Sequence, residues 1–252
     1  MTAATLPGLF VVGTDTGVGK TRVASAIARA MTRSGRRVGV LKPVATGAAR
    51  DAGGGGWIVE DASRLIEAIG GGCATADACP IAFAEPLAPP VAARRAGVPL
   101  LAAAVERAAY ASIDRWAAAG AEVMVVEGVG GLLCPIAEGA TVADLAVRLD
   151  YPLVIVARRG LGTLNHTLLT VEAALGRSLR VAGVILNGAE PTTDPVAEAT
   201  NPGELARRLG TVPLLGDWPH EPPGLAAGAD VVADGTDWYD WAGRPRLAFP
   251  RT

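Results

Sequence analysis

Short apolar runs alternate with longer segments of helical periodicity along most of the chain. The apolar runs lie at residues 9–12, 37–41, 122–126, 152–157, 181–186 and 211–215. Apolar residues at three- and four-residue spacing predict helices over residues 20–33, 60–69, 100–119, 142–148, 164–175 and 202–209. Strands that are apolar on both faces must be covered on both sides. The alternation therefore predicts an α/β fold with a mostly parallel sheet and helices on both faces.

A glycine-containing loop joins the first predicted strand to the first predicted helix. Its sequence, GTDTGVGKT, occupies residues 13–21. This strand, loop and helix order is typical of a P-loop, which binds a nucleoside triphosphate, so we expect a P-loop NTPase-like fold. The first glycine of the strict pattern falls on Thr14, with Gly13 one place early, so the loop is a variant. A glycine-rich turn without a ligand is the weaker alternative.

Each residue type in the loop has a chemical role toward a triphosphate. Gly17, Val18 and Gly19 let backbone N–H groups turn toward phosphate oxygens, and the helix N-terminus adds its partial positive charge. Lys20 can reach the β- and γ-phosphates, and Thr21 offers a hydroxyl to Mg²⁺. We therefore expect a nucleoside triphosphate and Mg²⁺ at this loop.

Ligands bind at the carboxyl ends of strands in such sheets, so the polar residues after each strand are candidate site residues. Lys42 follows the second run, in KPVATG. It is either a solvated charge that closes the sheet or a cation that points into the ligand pocket, and position alone does not decide between them. Thr46 and Gly47 permit a close backbone approach to a small ligand.

Three residues suggest a metal shell. Glu127 follows a buried strand in EGVGG, where Mg²⁺ beside a triphosphate is a natural partner for its carboxylate. A salt bridge to an arginine is the alternative for Glu127. Taken alone, Asp61 fits a residue at the start of a helix, where a carboxylate interacts favourably with the helix dipole. Its combination with Thr21 and Glu127 makes a Mg²⁺ site plausible.

Later strand ends carry amide side chains. Asn187 can both donate and accept hydrogen bonds, as a purine edge requires. Gly188 and Ala189 follow it where a guanine reader would have lysine and aspartate, so adenine is preferred. Asn165 and His166 lie near the start of a helix whose free N–H groups could hold a carboxylate. For His166 a structural role is favoured, because no second histidine or nearby carboxylate completes an acid–base pair.

Composition narrows the choice of ligand and compartment. The formal net charge of the 252 residues is −2, without blocks of like charge, which argues against binding nucleic acid or membrane and favours a small-molecule substrate. Cys73, Cys79 and Cys134 are an odd number without CxxC spacing, so neither a disulfide framework nor a zinc site is supported. No secretory signal or membrane span is visible, and a cytoplasmic location is the default.

The chain fits a single P-loop α/β domain over residues 1–233, followed by a tail at 234–252. The glycine-rich segment 47–56 predicts a flexible loop over the site, and the proline-rich segment 86–99 an irregular connection. The tail contains four aromatic residues, Trp238, Tyr239, Trp241 and Phe249. These aromatics cover an apolar edge or, as the weaker alternative, contact a partner.

Taken together and in order, these motifs resemble the dethiobiotin synthetase family. The likeness covers most of residues 8–225. It is carried by GTDTGVGKT at 13, KPVATG at 42, Glu60 and Asp61, FAEPLAPPVAA at 83, VVEGVGG at 125, LGTLNHTLLT at 161, Asn187 and VPLLGDWP at 212. The resemblance implies a homodimer with sites near the subunit interface. It also implies that 7,8-diaminononanoate, CO₂ and MgATP give dethiobiotin, ADP and phosphate, a step of biotin synthesis.

The resemblance also implies roles for individual residues. Lys20 would hold the β- and γ-phosphates, Lys42 would lie between carbamate and γ-phosphate, and Thr16 and Thr46 would contact the diamine or the carbamate. Asn165 would help hold the substrate carboxylate across the dimer interface. The metal shell would be Thr21, Asp61 and Glu127, and nucleotide contacts would come from Gly17, Val18, Gly19, Gly128, Val129, Gly130, Asn187 and Gly188.

Other P-loop classes fit the sequence less well. A ParA- or MinD-like ATPase switch is the main alternative, but such proteins place a lysine early in the loop, where this chain has Thr14, Asp15 and Thr16. A cobyrinate-type amidotransferase would need a glutaminase domain with a Cys and His pair, for which the chain shows no candidate. A GTPase-like binding module is disfavoured because the guanine motif is missing.

Overall fold

The computed structural model describes residues 6–53, 55–191, 194–221, 230 and 233–243. Its strands, in chain order, are β1 (Gly8–Gly13), β2 (Val38–Leu41), β3 (Val44–Thr46), β4 (Ala49–Arg50), β5 (Trp57–Ile58), β6 (Ile81–Phe83), β7 (Val123–Gly131), β8 (Pro135–Ala137), β9 (Ala140–Thr141), β10 (Leu153–Arg158), β11 (Val181–Asn187) and β12 (Leu214–Trp218). Its helices are α1 (Lys20–Arg33), α2 (Glu60–Ala68), α3 (Thr75–Ala78), α4 (Pro89–Arg95), α5 (Ala102–Ala118), α6 (Val142–Leu149), α7 (Thr163–Leu175), α8 (Pro195–Arg208) and α9 (Trp238–Gly243).

A six-stranded parallel sheet forms the centre of the molecule, in the spatial order β12-β11-β10-β1-β7-β2. The strand β1 lies inside the sheet, between β10 and β7. The carboxyl ends of β1, β2 and β7 therefore lie side by side at one edge. Smaller two-stranded pairs, β3 with β6, β4 with β5 and β8 with β9, lie outside this sheet.

Side chains of β1 alternate between two cores, one on each face of the sheet. Leu9 and Val11 belong to the core under α1 and α2, whereas Phe10 and Val12 belong to the core under α5, α6 and α7. This explains why the strand is apolar at every position. The predicted fold class, a mostly parallel sheet with helices on both faces, is confirmed.

Two strands differ from their predicted bounds. The last predicted run, at 211–215, is observed as β12 at Leu214–Trp218, because Leu214 is the residue that pairs with Val184 of β11. The run predicted at 122–126 continues as β7 to Gly131, with Glu127 paired to Val11 of β1. Glu127 therefore lies within a strand, and not after its end as the sequence suggested.

The predicted irregular segments contain regular structure. In the 47–56 segment, β4 pairs antiparallel with β5, and the Arg50 guanidinium lies 3.7 Å from the Trp57 ring centroid. In the 86–99 segment, α4 begins with two prolines, which the first helical turn tolerates because its N–H groups have no partner within the helix. The predicted helix at 202–209 begins earlier, at Pro195.

The C-terminal aromatics that are described pack on the domain. Trp238 is buried, and its Nε1–H donates to the Ala233 carbonyl at 2.7 Å. The Arg36 guanidinium lies 3.9 Å from the Tyr239 ring centroid, and Trp241 packs against the same core. This is the edge-covering role that the sequence favoured. Phe249 lies outside the described residues, and the boundary at residue 233 stays a prediction.

None of the helices in the described part of the chain is long and apolar enough to cross a membrane.

Replacing Trp238 by alanine tests whether this tail segment belongs to the core. Removing a large buried side chain leaves a cavity, so we expect Trp238→Ala to lower the free energy of unfolding by about 3–5 kcal/mol. Urea denaturation measures this. The control is Val196→Ala, whose side chain is exposed and should change stability by less than about 0.5 kcal/mol. Equal stability of the two variants would contradict the packing role.

Candidate active site

A cleft of about 440 Å³ opens at the carboxyl ends of β1, β2 and β7. Most residues predicted for the site line it, although they are far apart in the sequence. They are Thr16, Gly17, Gly19, Lys20, Thr21, Lys42, Thr46, Asp61, Glu127, Val129, Gly130, Asn187 and Gly188. Among the other predicted residues, Val18 is buried behind the loop, Gly128 contributes its carbonyl to the cluster described below, and Asn165 is exposed on α7.

The P-loop is held in its shape by backbone conformations and by one amide side chain. Gly17 and Gly19 have φ values of 75° and 87°, which favour glycine. The Asn187 Nδ2 donates to the Val18 carbonyl at 2.9 Å, and a Cβ atom at Gly19 would lie 2.0 Å from that Nδ2. The helix α1 begins at this point without a side-chain cap. Its first N–H groups are therefore left for an anion.

Lys42 lies at the centre of a buried polar cluster. Its Nζ is 2.7 Å from Glu127 Oε1 and 2.6 Å from Asp61 Oδ2, and it donates to the Gly128 carbonyl at 3.1 Å. The Thr21 hydroxyl is 2.9 Å from both Asp61 Oδ1 and Glu127 Oε1. Residues from β2, α1, α2 and β7 thus meet at one point.

The Lys42 side chain is only 4% exposed, so the solvated-charge alternative for this residue is wrong. The arginine alternative for Glu127 is also wrong, because its ionic partner is a lysine. Asp61 lies in the first turn of α2, as the helix-start interpretation expects, and also faces the cluster.

Charge states in the cluster depend on the balance between burial and neighbouring charges. Burial alone would lower the pKa of Lys42, but the carboxylates of Glu127 and Asp61 outweigh it, so that pKa lies above its ordinary value. Burial would likewise raise the pKa of Asp61, and the charge of Lys42 reverses the shift. Burial raises the pKa of Glu127 despite Lys42. Glu127 therefore needs nearby cations to stay ionised.

The second cation of the cleft is Lys20. Its Nζ donates to the Asp15 carbonyl at 3.0 Å, and the side chain is buried at the base of the P-loop. Burial, followed by the charge of Lys42, lowers the pKa of Lys20. Lys20 and Lys42 are the only lysines in the sequence. An anion placed between them would favour the charged form of both.

The oxygens around Thr21 fit a magnesium ion. Glu127 Oε2 is buried and has no hydrogen-bond partner in the described structure, although a buried carboxylate oxygen is costly to leave unsatisfied. Thr21 and Asp61 present oxygens beside it. Within the described residues no three His, Cys, Asp or Glu side chains converge, so protein carboxylates alone do not complete a metal cage. Mg²⁺ commonly binds in this way, through one or two carboxylates together with water and phosphate oxygens.

The other end of the cleft contains residues that the sequence did not single out. The Arg22 guanidinium donates to Asn187 Oδ1 at 2.9 Å and pairs with Glu221 at 2.7 Å. Both ends of the Asn187 amide are thus engaged within the chain, although one donor and one acceptor position remain. The missed cleft residues are Arg22, Ala45, Arg64, Ala189, His220 and Glu221. Nothing local in the sequence indicates these contacts, because strand order creates them.

Asn165 and His166 lie in the first turn of α7, away from this cleft. The helix begins after Gly162, which has a φ of 89° and leaves the helix without a side-chain cap. Both side chains are exposed, and His166 lines a second cleft of about 430 Å³ together with Asp15 and Thr16. Thr16 also lines the first cleft, so the two clefts meet at the P-loop.

Comparisons with known proteins show which family this chain is similar to. A family model described as an AAA domain matches residues 7–223. The chain is 47% identical over 207 residues to the ATP-dependent dethiobiotin synthetase BioD of Anaeromyxobacter dehalogenans (strain 2CP-C), covering 82% of this chain and 87% of that protein. It is 40% identical over 233 residues to the ATP-dependent dethiobiotin synthetase BioD of Rhodococcus jostii (strain RHA1), covering 92% and 94%.

A solved structure, that of a ParA family ATPase from Chlorobium tepidum TLS, matches with a TM-score of 0.50 and 15% identity over 95% of this chain and 99% of that one. At this identity the likeness shows the fold alone.

The two P-loop glycines give a matched test of the loop geometry. At Gly17 an added Cβ would meet no neighbouring atom, but alanine would have to adopt an unfavourable positive φ. The free energy of unfolding should therefore fall by about 1 kcal/mol. Alanine at Gly19 must also displace the Asn187 amide, so the loss should reach about 3 kcal/mol. Urea denaturation of both variants measures the difference. Equal losses would show that the Asn187 contact does not shape the loop.

Proposed function

The chain belongs to the ATP-dependent dethiobiotin synthetase family, and we propose that its P-loop cleft is where 7,8-diaminononanoate, CO₂ and ATP are converted to dethiobiotin, ADP and phosphate. The chain is an ATP-dependent ligase that forms carbon–nitrogen bonds. The observation that carries the assignment to this cleft is the position of Lys42. A buried ammonium group lies between two carboxylates at the cleft that Lys20 also lines.

The chemistry proceeds through three steps. One amine of the substrate adds to CO₂ and loses a proton, which gives a carbamate. A carbamate oxygen then takes the γ-phosphoryl group of ATP and releases ADP. The second amine attacks the carbon of this mixed anhydride and loses a proton, and phosphate leaves as the five-membered urea closes. The difficult encounter is the second step, because an anionic carbamate must approach an anionic phosphate.

The two lysines neutralise that encounter. Lys20 lies at the P-loop, where the β- and γ-phosphates bind, and Lys42 lies farther along the same cleft, between γ-phosphate and carbamate. Both groups are buried, so their charges are only weakly screened by water. A preorganised positive charge that meets developing negative charge stabilises the transition state more than the separated reactants.

Thr21, Asp61 and Glu127 would hold Mg²⁺. When bound, the metal neutralises charge on the phosphate oxygens. Glu127 contributes its buried carboxylate, and Asp61 closes the shell from the more exposed side, with 41% of its side chain accessible.

Lys42 changes partners as the substrates bind. An ammonium group has three donors, and all three are engaged by Asp61, Glu127 and the Gly128 carbonyl in this structure. A contact with carbamate or phosphate therefore requires one of them to be released. Asp61 would be the partner that releases, because 41% of its side chain is accessible and its carboxylate would also help to hold Mg²⁺, whereas Glu127 is fixed inside β7.

The diamine binds in the same cleft, beside the P-loop. Thr16 and Thr46 line the cleft and contact the amines or the carbamate. Asn165 and the uncapped start of α7 hold the substrate carboxylate, which suits the free N–H groups of a helix N-terminus. This contact is made across a homodimer interface. Exposed apolar side chains on and next to α7 support such an interface, namely Leu133, Leu161 and Leu169.

Gly17, Val18 and Gly19 contact phosphates through their N–H groups, and Gly128, Val129 and Gly130 complete the phosphate side of the cleft. Asn187 and Gly188 contact the base, for which adenine is the proposed partner.

The proposed location of the protein is the cytoplasm. A supply of MgATP fits this location. The free thiols of Cys73, Cys79 and Cys134 fit its reducing environment. The ParA-like ATPase switch shares the fold with this chain and has no specific observation in its favour.

Lys42→Ala tests the transition-state role. Without the ammonium group the carbamate and phosphate repel each other, so turnover should fall by about 10³-fold or more. ADP should bind with nearly unchanged affinity, because Lys20 and the P-loop remain. Product is measured as cyclic urea by mass spectrometry, and circular dichroism with MgADP present checks the fold. Turnover close to that of the unsubstituted protein would refute the role.

Glu127→Gln tests the metal shell while keeping the side-chain shape. Loss of the carboxylate should raise the Mg²⁺ concentration for half-maximal turnover by about tenfold and lower the maximal rate. The matched control is Glu60→Gln, an exposed carboxylate in the first turn of the helix that carries Asp61. If the Mg²⁺ titration of Glu127→Gln coincides with that of the control, Glu127 serves only as the partner of Lys42.

A further inference from the structure

Arg22 lines the same cleft as Lys42, and its guanidinium contacts four groups. Its Nη1 donates to Asn187 Oδ1 at 2.9 Å and to the carbonyls of Pro219 and Gly188 at 3.3 and 3.5 Å. Its Nη2 donates to Glu221 Oε2 at 2.7 Å. All four partners are hydrogen-bond acceptors, and they lie 165 to 199 residues away along the chain.

These contacts join two ends of the proposed nucleotide site. Arg22 directly follows Thr21 at the start of α1, so its backbone belongs to the phosphate end. Its guanidinium contacts Gly188, which follows β11, and Pro219 and Glu221, which follow β12. The Gly188 N–H also donates to the Trp218 carbonyl, at the end of β12, at 2.8 Å. One side chain thus connects the start of α1, beside the P-loop, with the residues that follow β11 and β12.

The chemistry of a guanidinium explains why this position suits arginine. Its planar group presents five donors in a fixed arrangement, so a single side chain can engage several acceptors, whereas the three donors of lysine radiate from one atom. The Arg22 and Glu221 side chains are 25% and 21% exposed, so the contacts are partly shielded from water. The exocyclic amino groups of adenine, guanine and cytosine would be drawn to the same acceptors if these were free.

We propose that Arg22 is a positioning residue that sets the base preference of the cleft for nucleoside triphosphates. By engaging the Asn187 oxygen, two carbonyls and the Glu221 carboxylate, it removes acceptors that any amino-bearing base could use and fixes the Asn187 amide in one orientation. The inference rests on the proposed function in one respect, the binding of a triphosphate at the P-loop.

A second arginine on the same helix gives a matched comparison. Arg29 lies two turns farther along α1 and makes a similar pair, with Nη2 at 2.8 Å from Asp230 Oδ1 and comparable burial. Its contacts are with the C-terminal region, away from the cleft. The Arg29 variant therefore shows how far the loss of any half-buried arginine from this helix changes nucleotide affinity.

The experiment compares Arg22→Met with Arg29→Met by titration calorimetry of ATP, GTP and inorganic tripolyphosphate, each with Mg²⁺. Tripolyphosphate occupies the P-loop without a base. For Arg22→Met we expect the ATP dissociation constant to rise about tenfold, because the Asn187 amide is no longer held in one orientation. The preference for ATP over GTP should shrink by a similar factor, because the freed acceptors serve the amino group of either base. Tripolyphosphate affinity should stay unchanged, and Arg29→Met should leave all three affinities as they are.

Equal losses for ATP and tripolyphosphate would overturn the proposal, since they would show that Arg22 merely supports the P-loop. Unchanged ATP affinity, or an unsubstituted protein without any preference between ATP and GTP, would also overturn it. If Arg22→Met does not fold, Glu221→Gln removes the charged partner and should shift the same ratio in the same direction. If the proposed function is wrong but this inference is right, the protein will bind ATP in preference to GTP and form no dethiobiotin.

Discussion

The ion cluster around Lys42 is the interaction on which the rest of the site depends. The Lys42 ammonium group and the Glu127 carboxylate are withdrawn from water, which costs free energy that their mutual attraction only partly offsets. Stability alone does not account for such a cluster, because apolar residues of similar volume would fill the space as well. In the proposed reaction the cleft receives a triphosphate and a carbamate, and an ammonium group already in place would meet their charge without reorganisation. The unpartnered Glu127 Oε2 points to the same conclusion, since it leaves room for one more cation.

The sheet order brings this cluster together. Because β2 and β7 are neighbours, Lys42, which directly follows β2, lies within hydrogen-bond distance of Glu127 in β7 although the two residues are 85 positions apart. The register that pairs Val11 with Glu127 places the carboxylate beside the start of the P-loop. Asp61 joins from α2, which packs on α1 in the same core. Each charge is thus positioned by a strand or helix that is itself stabilised by burial of its apolar side chains.

Much of this was predictable from the sequence, for reasons that differ between residues. The strands, helices and P-loop follow from periodicity and local spacing, and the rule that ligands bind at strand ends identified Lys42, Glu127 and Asn187. The pairing of Glu127 with a lysine was not predictable, because it depends on which strands become neighbours. The same holds for the network of Arg22, whose partners lie in segments without a local signal. The regular structure in the 47–56 and 86–99 segments was missed because glycine and proline content outweighed weak strand and helix signals.

The central claim is that the buried cations allow a carbamate oxygen to accept the γ-phosphoryl group. The most direct test is to supply ¹⁸O-labelled bicarbonate with MgATP and 7,8-diaminononanoate and to analyse both products by mass spectrometry. The account predicts one ¹⁸O in the released phosphate and one in the urea carbonyl of the cyclic product. Phosphate without the label, formed by attack of water on ATP, would contradict it.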